Sequence, residues 1–139
     1  MVSKRLEGMI HGWVERTYLE GIDGYWADLV LSEFAFLEER GGRLEDVSFH
    51  QKGHYIRYVG AWGTVLLDFE PDSNWIGGRA RLSAEGAKFE GELDHLVRER
   101  MPETALPPKL PLDRESVAAN VRVWAEALRG SPYLFRLAE

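Results

Sequence analysis

The stretch HYIRYVGAWGTVLLDFEPDSNWIGGRARL, residues 54–82, decides the fold. Polar and apolar residues alternate along three runs, His54–Val59, Gly63–Glu70 and Trp75–Leu82, separated by Ala61-Trp62 and Pro71-Asp72-Ser73-Asn74. Period-two alternation sends successive side chains to opposite faces of a strand, and connections this short join antiparallel neighbours. A turn at 61–62 pairs Tyr58 with Val65 and Ile56 with Leu67, while a turn at 71–74 pairs Phe69 with Ile76 and Val65 with Ala80. The two hairpins, derived separately, put the same residues of their shared strand inside. A slip of one residue would have reversed every side chain.

Upstream, Glu45–His50 reads as a fourth strand of the same meander. A two-residue turn at Lys52-Gly53 pairs Phe49 with Ile56 and Val47 with Tyr58, whereas a three-residue turn sets Phe49 against Tyr55 and breaks the pattern. Before it, Trp26, Leu29, Val30, Phe34 and Leu37 recur at helical spacing, with Leu31, Ala35 and Phe36 widening the stripe, and predict a long helix over 25–40 that Gly41-Gly42 ends. Residues 1–24 carry a further helical spacing (Leu6, Met9, Ile10, Trp13, Val14) interrupted by Gly8 and Gly12, with Gly21 placed to end that helix and Asp23 to cap the next.

Downstream, Phe89, Leu93, Leu96 and Val97 predict a helix over 85–100. Pro102, Pro107, Pro108 and Pro111 make 101–112 a stiff connector. Asp113 is placed to cap a last helix over 113–129, built on Val117, Val121, Trp124 and Leu128 and stopped by Gly130 and Pro132. The expectation is one α+β domain over 1–139: a four-stranded antiparallel meander at about 45–82, packed on helix 25–40 and followed by two helices.

Composition narrows the function classes. The chain has 139 residues, 45% hydrophobic and 29% charged, which is the profile of a folded domain rather than a disordered or fibrous chain. It has no cysteine, so disulfides, thiol nucleophiles and cysteine-based metal sites are excluded, and a reducing compartment, the cytoplasm, is the expected address. A net charge of −6 opposes the phosphate attraction on which nucleic-acid binding depends, so no nucleic-acid partner is expected. No stretch approaches the roughly 20 apolar residues of a bilayer-spanning helix, and no membrane partner is expected either.

No catalytic signature emerges. His50 and His54 flank a turn and read as exposed turn histidines, without the helical spacing of a metal pair. His95 lies near Glu92 and Glu99 with no nucleophile aimed at it, and Ser83, Ser116 and Ser131 lack a nucleophile-elbow context. Gly77-Gly78-Arg79 has no phosphate-loop spacing, and Gly78, inward and opposite Leu67, reads as room for a large neighbour. No cofactor, metal or catalytic residue is predicted.

The outer face of the meander does gather a patch. Arg57, Leu66 and Arg79 fall in one row across three strands, Asp68 sits opposite Tyr55, and Trp75 and Arg81 complete a basic and aromatic strip. Tyr55, Arg57, Asp68, Trp75, Arg79 and Arg81 are therefore the candidate binding residues, because Arg, Tyr and Trp concentrate at binding hot spots and forked guanidiniums grip carboxylates and phosphates. The competing readings are a solvated, ion-paired sheet face and a face covered by the C-terminal helices. Tyr133, Leu134 and Phe135 form an apolar tail that docks either on the domain itself or on a partner.

A long helix, the meander quoted above and two further helices, in a small acidic chain, resemble the α+β immunity proteins of bacterial polymorphic-toxin systems over residues 25–129. The resemblance implies a non-enzymatic domain that binds and neutralises a protein partner. In size and acidity the chain is also similar to secretion chaperones, which implies a homodimer, but no strands are predicted between its last two helices. The alternative reading from the residues alone is a domain that holds a small anion or ligand with Arg57, Arg79 and Arg81.

Overall fold

The computed structural model describes residues 10–11, 21–50, 53–84 and 86–135. The architecture is α+β. Among the described residues six strands lie in the order β1-β2-β3-β4-β5-β6: β1 (Ile10–His11), β2 (Arg43–Phe49), β3 (His54–Gly60), β4 (Gly63–Glu70), β5 (Trp75–Ala84) and β6 (Ala87–Glu92). Strands β2 to β6 form a five-stranded antiparallel meander, and the two residues of β1 run parallel to β2 at one edge. The helices are α1 (Ile22–Glu33), α2 (Phe36–Glu39), α3 (Leu93–Arg100), α4 (Arg114–Arg129) and α5 (Pro132–Phe135).

The two later hairpins have the expected register: Tyr58 faces Val65, Ile56 faces Leu67, Phe69 faces Ile76 and Val65 faces Ala80. The first hairpin does not. Val47 pairs with Ile56 and Phe49 with His54, two residues away from the expected partners, and the His50 N–H donates to the Gly53 carbonyl at 3.1 Å. A shift of two preserves the inner face, so the alternation alone could not detect it.

The sheet has a fifth antiparallel strand where a helix over 85–100 is predicted. The chain reverses direction between Ala84 and Ala87, which pair with each other, and Gly86 adopts φ +80°. Phe89 belongs equally to a helical spacing with Leu93 and to the alternation of Lys88, Phe89, Glu90, Gly91 and Glu92, and the tight turn favours the strand. Only Leu93–Arg100 is helical.

The helix predicted over 25–40 is broken at Phe34 and Ala35 into α1 and α2. On one straight helix Phe34 and Phe36 would point about 200° apart. The break lets both enter the core, their rings 6.0 Å apart. Gly21, not Asp23, is the N-cap of α1. The helix predicted within 1–24 lies mostly outside the described residues; Ile10–His11 are strand.

The helix Arg114–Arg129 forms as predicted, with Asp113 and Ser116 in a reciprocal capping box (Ser116 N–H to Asp113 Oδ1, 2.9 Å; Asp113 N–H to Ser116 Oγ, 3.0 Å). Residues 101–113 carry no regular structure, and Lys109 ties this connector down through Asp94 Oδ2 at 2.9 Å and Asn120 Oδ1 at 3.2 Å. The buried apolar residues of the sheet's inner face, of the helices and of Tyr133 and Leu134 form one continuous cluster.

Candidate functional site

Because α1, α3, α4 and α5 contribute to the cluster on the inner face, the outer face keeps its side chains half-buried or exposed, apart from the buried Ser48. Pairing sets them in rows. One row runs Asp46, Arg57, Leu66, Arg79, Glu92; the next runs Ser48, Tyr55, Asp68, Gly77; on the other side lies Arg43, Val59, Thr64, Arg81, Glu90. The predicted row of Arg57, Leu66 and Arg79 and the predicted Tyr55–Asp68 opposition are both present.

The charge balance differs from the basic strip read in the sequence. The bulged β2 brings Glu45 to 3.4 Å from Arg57, and β6 brings Glu90 to 3.3 Å from the Arg81 Nε and places Glu92 opposite Arg79. With Asp46, Asp68 and Glu70, the carboxylates on this face outnumber its arginines. The difference has two sources: the bulge in β2 brings Glu45 to Arg57, and a reading that makes β6 a helix removes Glu90 and Glu92 from the sheet.

Two adjoining hollows of about 560 and 680 Å³ lie along this face and share Arg57, Leu66 and Arg79. Tyr55, Asp68, Trp75 and His50 border the first, and Arg81, Glu45 and Glu90 border the second. Leu66 is the apolar floor common to both. Trp75 is 42% exposed, yet its indole is oriented, because Nε1–H donates to Asp68 Oδ2 at 2.5 Å and the ring lies over Gly77. A Cβ at Gly77 would stand 2.9 Å from the Trp75 Cζ2 and 3.0 Å from its Nε1. Burial pushes the Asp68 carboxyl above its ordinary value, and the Trp75 hydrogen bond and the Arg79 charge offset this only in part. Tyr55 donates to Asp46 Oδ2 at 3.0 Å and lies under the Arg57 guanidinium, 5.4 Å from ring centroid to Cζ.

The structure therefore brings Tyr55, Arg57, Asp68, Trp75, Arg79 and Arg81 onto one face. Tyr133 and Leu134 are elsewhere: both are buried in the protein's own core, with Tyr133 donating to Glu99 at 3.0 Å, so the tail docks on the domain. Phe135 is the last residue of α5.

Three polar or aromatic anchors were not singled out from the sequence. His54 is buried and not an exposed turn residue: Nδ1 accepts the His50 N–H at 3.2 Å and Nε2 lies 2.6 Å from Asp23 Oδ2. His54 shares strand parity with Ile56 and Tyr58, and that was the available signal. Ser48 Oγ lies 2.5 Å from His50 Nε2 at the rim of the first hollow. Trp62, in the turn, folds back fully buried and donates to the Arg40 carbonyl at 3.1 Å. Among the described residues no group of three or more His, Asp or Glu side chains is placed to hold a metal ion, and no helix is long and apolar enough to cross a membrane.

No family model matches the chain, and no curated protein or solved structure is a match for it.

Proposed function

We propose that this is a non-enzymatic partner-binding domain that takes another protein on the outer face of its sheet, in the manner of the immunity proteins its element order resembles. The observation that supports this most is the trough over Leu66, flanked by Arg57 and Arg79 and bordered by an oriented but exposed Trp75. Interface hot spots are built from such Arg, Tyr and Trp side chains around a small apolar centre, and the ion-paired rim of Glu45, Arg81 and Glu90 supplies the polar surround. A partner surface of mixed charge is the complement. A free small anion fits less well, because Arg57 and Arg81 already have carboxylate partners that it would have to displace. A cysteine-free chain suits a cytoplasmic partner.

The test is a binding measurement against the products of neighbouring genes, comparing the parent with Arg57→Ala/Arg79→Ala and with Trp75→Ala. The reading expects lost or strongly weakened binding in both variants with a nearly unchanged melting temperature. Full binding by both variants, or a large fall in stability in their place, contradicts it.

A further inference from the structure

Strand β6 ends the sheet, and among the described residues nothing pairs with its outer edge. Its side chains alternate: Ala87, Phe89 and Gly91 are half-buried on the helix side, and Lys88, Glu90 and Glu92 are exposed on the outer face. An open edge offers a row of unpaired N–H and C=O groups, and proteins commonly guard it with charge. Guards of a single sign repel a second copy of the same strand. Here the guards carry both signs.

We propose that β6 pairs antiparallel with β6 of a second copy of this chain, with the two-fold axis at Phe89. Residues directly opposite in an antiparallel pair share a face, so in a symmetric pairing of identical strands the residue on the axis must face itself. An axis at Lys88 sets two lysines together, one at Glu90 sets two glutamates together, and one at Gly91 sets Glu90 against Glu92. An axis at Ala87 leaves Lys88 facing Gly86. An axis at Phe89 sets Lys88 against Glu90 twice, puts Ala87 against Gly91, and brings the two Phe89 rings together. An axis at Glu90 also sets Lys88 against Glu92, but only with its two glutamates face to face; Phe89 is the only position within the strand that opposes unlike charges without setting like charges together, which favours cross-strand pairing where like charges oppose it.

The surroundings agree with that register. Phe89 lies 6.1 Å from the buried Tyr133 ring, so two Phe89 side chains would carry the apolar core across the seam. Glu90, already ion-paired with Arg81, would stand between that arginine and Lys88 of the second copy. The inference is independent of what docks on the outer face, although the pairing would join the two outer faces into one continuous surface.

The experiment measures association of the full chain by sedimentation equilibrium and light scattering, for the parent, Lys88→Glu, Glu90→Lys and the double swap, with circular dichroism to establish that all four fold. The expected result is a dimer in the parent, association weakened about tenfold or more by either single change, and recovery in the double swap, which again sets unlike charges opposite each other across the seam. Because Glu90→Lys also sets a lysine beside Arg81, recovery relative to Lys88→Glu is the deciding comparison. A parent that stays monomeric at high concentration overturns the proposal. So does a dimer indifferent to both single changes, or a double swap no stronger than Lys88→Glu.

Discussion

His54, on the sheet, donates from Nε2 to the Asp23 carboxylate 2.6 Å away in the first turn of α1, and both side chains are out of solvent. The proton assignment follows from the other ring nitrogen, which accepts the His50 backbone N–H. One side chain therefore closes the first hairpin and fastens the helical layer to it. Asp23→Ala removes the acceptor and leaves a buried N–H without a partner, which costs about 2–4 kcal/mol. Asp23→Asn keeps an amide oxygen within reach and should cost about 1 kcal/mol. Urea unfolding of the two variants gives the comparison; equal stability of Asp23→Ala and the parent would show that the pair carries no weight.

The same contact explains why part of the fold was legible in the sequence and part was not. Alternation along 54–82 sets the inner face and two of the hairpin registers, because a one-residue error there exposes Ile56, Val65 and Leu67 at once. It is blind to a two-residue shift, and the first hairpin is shifted by two, which sets His54 opposite Phe49 on the inner face. The period around Phe89 fits helix and strand equally, and the reversal at Gly86 resolves it only in three dimensions. That Tyr55, Arg57, Asp68, Trp75, Arg79 and Arg81 share one face was legible; the charge balance of that face was not, because it depends on the bulge that brings Glu45 to Arg57 and on Glu90 and Glu92 lying on a strand.

Gly78 faces inward opposite Leu67, and the neighbour for which it makes room is Leu93 at the start of α3. A Cβ there would lie 2.6 Å from the Leu93 Cδ1 and 2.9 Å from the Leu67 Cδ1. Gly78→Val overpacks this contact and should destabilise the protein by about 1–3 kcal/mol in thermal or urea unfolding. A neutral result would mean that α3 does not press on β5 in this way.

Two carboxyls displaced in opposite directions give opposite pH signatures. Burial alone would raise Asp94, but the Lys109 and Trp124 hydrogen bonds and the Lys109 and Arg98 charges hold it below its ordinary value of 3.8. A depressed folded value contributes stability above 3.8 that is lost as pH falls through the lower folded value. Asp94→Asn should therefore lower stability at neutral pH by about 1 kcal/mol, with the gap closing in acid below 3.8. Asp68 is raised by burial, so its ionised form is disfavoured by the fold and the parent gains relative stability as pH falls through the raised value. Asp68→Asn should leave the neutral-pH melting temperature unchanged or higher, with any advantage shrinking as pH falls through the raised value and gone only below 3.8. Melting curves across this range that show the same trend for both variants would contradict the assignments.

The central claim, that the outer sheet face docks a protein partner, is tested most directly by placing a photo-crosslinking residue at Leu66, in the floor of the trough, and for comparison at Arg122, on the exposed side of α4. The two forms are irradiated in the cells that make the protein. The account predicts a discrete heavier adduct from position 66 and none from 122. Adducts from 122 alone, or none from 66 under conditions in which the protein is abundant and folded, would contradict it.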